Sequence, residues 1–180
     1  MKHSPERPLK RPLHALTAAG MLAHHAYELA VGVGLVYQPQ LGLRGAAALW
    51  SGALPGWALA AARGSPRWDA PLALMAGGSV GGSVLHFVLW PWEFRRGIPV
   101  LTKAEALRPD QLPAYNAILY AWALAGLLAV IAETPPGKRK WALLGFLGLF
   151  TQKASARHHF IWLTEQARTN PAWWNRAAGV

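Results

Sequence analysis

The 180-residue sequence contains no cysteine, which excludes disulfide bonds, thiolate metal ligands and Cys-x-x-Cys redox chemistry. Charged residues are scarce at 14%, against about 25% in ordinary soluble domains. Acidic residues are the rarer sign, with 8 Asp and Glu against 18 Lys and Arg. The sequence also lacks the His-Glu-x-x-His, Walker A and Gly-x-Gly-x-x-Gly motifs and so gives no sign of the enzymes that carry them. Nor do we expect a hydrolase of the Gly-x-Ser-x-Gly type.

What the sequence has in abundance is apolar and aromatic residues. The hydrophobic fraction is 53%, and several of the 10 tryptophans flank long apolar blocks, as in the interfacial belt of a membrane protein. The net charge of +10 raises the question of nucleic acid. However, the basic residues cluster at the edges of apolar blocks and no zinc-finger or RNP-like pattern accompanies them. We therefore predict an integral membrane protein with membrane lipids around it and no nucleic-acid partner.

The apolar blocks predict an all-α bundle of about five transmembrane helices. Each is close to the roughly 20 residues that a bilayer requires. The predicted helices cover residues 13–37, 43–62, 69–92, 112–133 and 141–163. The fifth is ambiguous: it either spans or dips in and continues along the surface, which would leave four crossings. Between the third and fourth helices, Thr102 and Glu105 have the spacing of a capping box, which predicts a short interfacial helix over 103–108.

The same pattern predicts the domains and the orientation. Residues 1–12 form a basic tail, 13–168 a single transmembrane domain and 169–180 a Trp-rich carboxyl-terminal tail. Lys and Arg concentrate in the amino-terminal tail and in the loops after the second and fourth helices, so the positive-inside rule places these segments in the cytoplasm. We expect the protein in the plasma (inner) membrane, with the loop 93–112 outside.

Glycines in the third helix predict close helix packing. The segment 77–84 reads Gly-Gly-Ser-Val-Gly-Gly-Ser-Val, so small residues recur at every fourth position. Such a face lets helix backbones approach closely in lipid, where apolar burial cannot drive association. Gly32 and Gly34 on the first helix are candidate counterparts. The pattern equally fits a second copy of the chain or a larger complex that packs on the Gly77–Gly82 face.

Polar residues within the apolar blocks indicate a site. His24 and Glu28 are four residues apart and therefore share a helix face, whereas His25 is expected to point about 100° away. A carboxyl group at bilayer depth is costly unless it is protonated or paired. The polar residues of the other helices fall at a similar depth, which predicts an outward-opening cavity. The candidate catalytic residues are Glu28, His24 and His86. The candidate substrate-binding residues are His25, Tyr27, Trp90, Asn116, Tyr120, Trp122, Lys153, Arg157 and His159.

Three functions are compatible with these residues. The first is a small membrane-embedded enzyme that uses acid–base chemistry, such as isomerisation or cyclisation, on an isoprenoid, sterol-like or lipid substrate without a cofactor. The arrangement resembles that of membrane sterol isomerases, which also use His and Glu in a small helical bundle; the shared motif is His24-x-x-x-Glu28 alone. The second is a non-catalytic membrane subunit or assembly partner. The third is bis-histidine haem binding, which would not explain Glu28.

Overall fold

The computed structural model describes residues 10–179, and the predicted all-α class is confirmed. Residues 1–9 of the predicted basic tail and Val180 lie outside the described residues. The described part contains six α-helices and one two-stranded antiparallel sheet. The helices are α1 (Pro12–Val31), α2 (Gln38–Arg63), α3 (Asp69–Leu89), α4 (Leu112–Leu128), α5 (Arg139–Phe150) and α6 (Lys153–Thr169). The strands are β1 (Trp92–Arg95) and β2 (Ile98–Leu101).

Two segments of the described chain are long and apolar enough to cross a membrane. They are Pro66–Leu89, which includes α3, and Leu112–Glu133, in which α4 continues into a π-helical turn. The predicted fourth helix therefore has the observed bounds, and the third is correct at its start. The five predicted crossings are not confirmed.

The first helix is shorter than predicted. Helix α1 ends at Val31 because Gly32 adopts the left-handed conformation, with φ of 93°, and its N–H caps the carbonyls of Glu28 and Leu29. At the other end, the Glu133 carboxylate accepts the N–H groups of Leu13 and His14 at 2.8 and 2.9 Å. A side chain 120 residues away thus caps the start of the helix, where a negative charge also complements the helix dipole.

The second helix carries a break near its start. Helix α2 is interrupted at Gly42, whose φ of 67° and ψ of 171° are non-helical. The regular helix after that kink corresponds to the predicted segment 43–62. Pro55 lies inside it.

The glycine face of α3 packs against α5 of the same chain. A Cβ added to Gly77 would lie 1.8 Å from the carbonyl oxygen of Ala142, and one added to Gly81 would lie 2.7 Å from that of Phe146. The contact is reciprocal, because a Cβ on Gly145 would lie 2.0 Å from the carbonyl oxygen of Leu74. Close packing through glycine is therefore present, but the counterpart predicted at Gly32 and Gly34 is wrong. Those two glycines meet Arg176 and Gln38 instead.

The predicted fifth helix over 141–163 is wrong as a single element. It is divided into α5 and α6 by a turn at Thr151 and Gln152. The two helices pack on different neighbours. Helix α5 lies along α3, whereas α6 contacts α2 and the carboxyl-terminal 3-10 turn Arg176–Gly179. The sequence changes character at the same point, since apolar residues up to Phe150 give way to polar and basic ones.

The loop before α4 contains a β-hairpin instead of the predicted interfacial helix. Strands β1 and β2 pair from Trp92↔Leu101 to Arg95↔Ile98. The turn residues Arg96 and Gly97 both have positive φ, at 50° and 83°, as a two-residue primed turn requires. The capping box over 103–108 does not form. Glu105 has φ of 52° and its side chain points into the bundle.

Candidate functional site

An apolar cavity of about 150 Å³ lies inside the bundle, and all six helices contribute to its lining. Its polar lining includes two carboxyl groups, Glu28 and Glu105, and three neighbouring histidines, His24, His25 and His86. The remaining lining is predominantly apolar and aromatic. It includes Met21, Val33, Trp50, Leu85, Trp90, Trp122, Leu149 and Phe160. A cavity of this size holds a benzene-sized group.

Glu28 is buried and surrounded by imidazole rings. Its Oε1 lies 3.2 Å from Nε2 of His24 and 4.0 Å from Nε2 of His86, and its Oε2 lies 3.5 Å from Nδ1 of His25. The predicted His24–Glu28 pair is therefore present. The expectation that His25 points away is wrong, because the pair at i, i+3 also meets on a helix face.

Tyr115 joins Glu28 to a second buried carboxyl group, that of Glu105. The Tyr115 hydroxyl lies 2.8 Å from Oε1 of Glu28 and 3.1 Å from Oε1 of Glu105. A hydroxyl group has one hydrogen to donate, whereas an ionised carboxylate can only accept. Both contacts can be hydrogen bonds when one carboxyl is protonated and donates to the tyrosine oxygen. The geometry therefore fits two carboxyl groups that share one proton.

The surroundings place that proton on Glu105. Burial and the neighbouring Glu28 raise the pKa of Glu105 well above its usual range. His24 and His25 each place a ring nitrogen within 3.5 Å of the Glu28 carboxylate. Among the described residues, the imidazole near Glu105 is that of His86, whose Nε2 lies 3.7 Å from its Oε1. The arrangement that follows is a directed chain in which neutral Glu105 donates to Tyr115 and Tyr115 donates to the Glu28 carboxylate.

A backbone carbonyl sets the tautomer of His86. Its Nδ1 lies 2.7 Å from the carbonyl oxygen of Gly82. Because a carbonyl only accepts hydrogen bonds, Nδ1 carries a hydrogen. In the neutral ring Nε2 is then the unprotonated nitrogen, and it faces both carboxyl groups. His86 can thus accept a proton at the cavity wall.

The structure brings most of the sequence-predicted site residues together. The three candidate catalytic residues line the cavity. So do four candidate binding residues: His25, Trp90, Trp122 and His159. Trp122 stacks on His24, with ring centroids 5.0 Å apart. The polar stripe of α6 contributes Gln152 and Ser155 together with His159.

Five predicted binding residues are not among the cavity-lining residues. Lys153 and Arg157 lie on other faces of α6, and Arg157 is exposed. The other three make hydrogen bonds to the loop before α4. Tyr27 donates to the carbonyl of Gln111, Tyr120 to that of Pro99, and the Asn116 amide binds both N–H and carbonyl of Leu101. These contacts occupy their polar atoms outside the cavity.

Sequence reasoning missed Glu105 and Tyr115. The capping-box spacing predicted that Glu105 and Thr102 lie in the same helical turn. In the structure the Thr102 hydroxyl contacts the carbonyl of Pro91 instead. Tyr115 carried no signal beyond a tyrosine near the start of an apolar helix. The partners of both residues include Glu28, which is 87 residues from Tyr115.

The same side chains offer two sets of ligand atoms for a metal ion. The sets are His24, His25 and Glu28, and Glu28, His86 and Glu105, with the atoms of each set within 4.8 Å of one another. In the second set, however, Oε1 of both carboxyl groups already contacts the Tyr115 hydroxyl. A shared proton therefore fits this arrangement better than a cation. For haem, the rings of His24 and His86 meet edge to face at 5.0 Å, so no porphyrin fits between this pair.

Residues 77–81 match the Gly-x-Ser-x-Gly motif of hydrolases, so the expectation that the sequence lacks this motif is wrong. The structural context differs from that of a nucleophile, because Ser79 lies inside α3 and donates to the carbonyl of Met75. The strand–turn–helix elbow that exposes a nucleophilic serine is not formed here. Ser79 is wholly buried in the helix contact.

Comparisons with known proteins find no match for this chain among family models, curated proteins or solved structures.

Proposed function

We propose that this chain is a small membrane-embedded enzyme that moves a proton on a lipid-soluble substrate, as in isomerisation or cyclisation of an isoprenoid, a sterol-like molecule or another lipid. The observation that carries the proposal is the pair of carboxyl groups, Glu28 and Glu105, that share the Tyr115 hydroxyl at the wall of an apolar cavity. One carboxyl that holds a proton and one that has lost it are the acid and the base of such a reaction.

The outer surface of the bundle supports a membrane location. Besides the two long apolar segments, large apolar side chains are exposed on α4, on the π-helical turn that continues it, and on α5. They include Leu124, Leu127, Ile131, Leu143, Leu144 and Leu147. Apolar faces of this extent are unusual on a soluble monomer. The amino terminus would lie in the cytoplasm of a plasma-membrane protein, as the Lys and Arg bias indicates.

The proposed reaction balances without an external proton. Glu105 donates its proton to one carbon of a substrate double bond, which leaves a cation on the other carbon. Glu28 then removes a proton from the next carbon beyond that cation, so the double bond moves by one position. Glu105 is then ionised and Glu28 neutral. Glu28 passes its proton to the Tyr115 oxygen while the Tyr115 hydroxyl hydrogen moves to Glu105, which restores the starting state. Tyr115 is unchanged by the cycle.

The neighbouring side chains have supporting roles in this proposal. His24 and His25 stabilise the Glu28 carboxylate between turnovers, since each ring places a nitrogen within 3.5 Å of it. Trp122 and Trp90 present aromatic surface to the cavity, which would shelter a carbocation formed on protonation of the alkene. The cavity accepts a ring or the alkene-bearing end of a substrate, and the rest of a longer molecule would extend beyond it.

The test is deuterium transfer to carbon, which does not require the substrate to be known. The purified protein is reconstituted into vesicles made from a lipid extract of its source membrane, incubated in D₂O, and the lipids are analysed by mass spectrometry. Glu105 also lines a cleft that is open to the surface, where its proton exchanges with water between turnovers. A proton-transfer enzyme of this kind therefore introduces carbon-bound deuterium into one lipid. Glu28→Gln keeps the size of the side chain but removes the base, so the rate should fall by about 10²–10⁴-fold.

The matched control is Glu165→Gln, an acidic residue exposed on α6, which should leave the rate unchanged. Equal labelling by wild type and Glu28→Gln would contradict the proposal, as would a wild-type protein that labels no lipid. Equal labelling would assign the base to another residue, whereas a wild type that labels no lipid would leave the non-catalytic subunit, with the His–Glu cluster acting as an interhelical contact. Glu28→Leu would then destabilise the fold by about 1–3 kcal/mol, because His24 loses its partner.

A further inference from the structure

A second cavity, more polar than the first and open to the surface, adjoins it. It has a volume of about 570 Å³ and lies between the end of α1, the loop before α4, α6 and the carboxyl-terminal 3-10 turn. We call it the basic cleft, because Lys103, Arg108 and Arg176 line it. Thr164 adds a hydroxyl group, and Glu105 is the acidic residue of the lining.

The basic cleft has an excess of positive charge. Asp110, which pairs with Arg108 through Nε and Nη2, offsets one of the three cations. Glu105 contributes no charge in the hydrogen-bond chain described above. The Arg176 guanidinium is held by the carbonyl of Ala30 through one nitrogen, and a guanidinium has five N–H donors in all. Donors therefore remain for an anion, and Arg and Lys are the side chains that bind phosphate groups.

Glu105 lines both the basic cleft and the apolar cavity. The two are thus neighbours on either side of one side chain, with cations on the outer side and apolar walls on the inner side. This order matches an amphiphile whose anionic head lies in the cleft and whose hydrocarbon part lies in the cavity. A neutral Glu105 at the junction would not repel such a head.

We propose that the basic cleft binds the phosphate-type headgroup of an amphiphilic substrate whose apolar part enters the cavity. The inference rests on the proposed function, because it assumes that the bound amphiphile is a substrate. It narrows the substrate class from any lipid to a lipid with an anionic headgroup. The head would fix the position of the chain relative to Glu28 and Glu105, since binding remote from the reacting atoms orients them.

The test uses three probes that separate head from tail: dodecyl phosphate, dodecanol and inorganic phosphate. Binding to the full-length protein in a neutral detergent is followed by tryptophan fluorescence, because Trp50, Trp90 and Trp122 line the cavity. We expect dodecyl phosphate to bind at least about tenfold more tightly than dodecanol, the effect of one charge-assisted hydrogen bond. Inorganic phosphate at the same concentrations should leave the fluorescence unchanged.

The variants locate the headgroup. Lys103→Gln and Arg176→Gln should each weaken binding of dodecyl phosphate by roughly tenfold and leave binding of dodecanol unchanged. Arg157→Gln, which removes an exposed cation of α6 outside both cavities, should change neither. If Arg176→Gln does not fold because its contact with Ala30 is lost, the binding of dodecyl phosphate by Lys103→Gln tests the headgroup site without it.

Three results would overturn the inference. They are equal affinity for dodecyl phosphate and dodecanol, equal binding of inorganic phosphate, and an effect of Arg157→Gln as large as that of Lys103→Gln. The Glu28→Gln variant separates this inference from the proposed function. It should bind dodecyl phosphate like the wild type even if the deuterium experiment shows no catalysis, so each proposal can fail without the other.

Discussion

The contact between α3 and α5 makes a quantitative prediction about one methyl group. In Gly77→Ala the new Cβ would lie 1.8 Å from the carbonyl oxygen of Ala142 and 2.5 Å from its carbonyl carbon. Ordinary carbon–oxygen contacts are about 3.3–3.6 Å, so the helices must separate locally by roughly 1.5 Å. The obstacle is backbone rather than a flexible side chain, which places the cost at the upper end of the usual overpacking penalty of about 1–3 kcal/mol.

The control for this variant lies on the partner helix. A Cβ on Gly148 of α5 would meet nothing within 4 Å, so Gly148→Ala should stabilise the helix by up to about 1 kcal/mol through propensity alone. The same gain partly offsets the clash in Gly77→Ala. We expect a net loss of about 2 kcal/mol for Gly77→Ala and a difference of about 3 kcal/mol between the two variants.

The assay is equilibrium unfolding of the purified variants in mixed micelles. Gly145→Ala should repeat the effect of Gly77→Ala, because its Cβ would lie 2.0 Å from the carbonyl oxygen of Leu74 on α3. If Gly77→Ala proves as stable as Gly148→Ala, the two helices do not pack through their glycines, and the reasoning fails at its first step.

Three further predictions address the helix cap, the orientation and the metal. Glu133→Ala should lower the free energy of unfolding by about 1–2 kcal/mol, since the N–H groups of Leu13 and His14 lose their acceptor. The control is Glu165→Ala, and equal stability of the two variants would show that Glu133 does not cap α1. Because the chain has no cysteine, single cysteines at Glu93 and Lys140 report topology: an impermeant reagent should label the former alone in intact cells, and the reverse would invert the orientation. Deuterium transfer should survive exhaustive treatment with EDTA, whereas loss of activity that zinc or iron restores would favour a metal in the His–Glu cluster.

The sequence predicted contacts within one helix better than contacts between distant segments. The spacing of His24 and Glu28 determined their pairing because the α-helix repeats every 3.6 residues. The small residues of α3 likewise predicted close packing. What the pattern could not supply was the identity of the partner helix, because Gly32, Gly34 and Gly145 are equally small. That choice depended on where α1 ends and where α5 lies, which are tertiary properties.

The predictions for the loop before α4 and for the fifth helix were wrong for physical reasons. The hairpin was missed although Gly97 lies between two segments of strand length, because charged residues and Pro99 weakened the strand pattern. Its turn requires positive φ at Arg96 as well as at Gly97. Arginine rarely adopts positive φ, so the sequence did not indicate a turn at this position. The break at Thr151 and Gln152 follows the change from apolar to polar composition, which the prediction of one spanning helix treated as a buried polar face.

Three of the predicted binding residues that lie outside the cavity hold the loop that carries Glu105, the acid of the proposed reaction. Glu105 lies between β2 and α4, where a loop would ordinarily be too mobile to hold a carboxyl group in a hydrogen-bond chain. Here Asn116 fixes the end of β2 through Leu101, Tyr120 holds Pro99, and Tyr27 of α1 holds Gln111 at the start of α4. Both ends of the loop are therefore tied to helices that also form the site.

Substitution of these tethers should consequently affect catalysis without any contact with substrate. Asn116→Leu removes the two hydrogen bonds to Leu101 and should lower the rate of deuterium transfer, while Glu28 keeps its contacts with His24 and His25. A substrate ligand would instead show weaker binding of the apolar probe dodecanol at an unchanged maximal rate. The polar residues predicted for the site thus divide by partner. Glu28 and His86 meet side chains of other elements at the cavity, whereas Tyr27, Asn116 and Tyr120 meet the backbone of the loop before α4 and hold that loop in place.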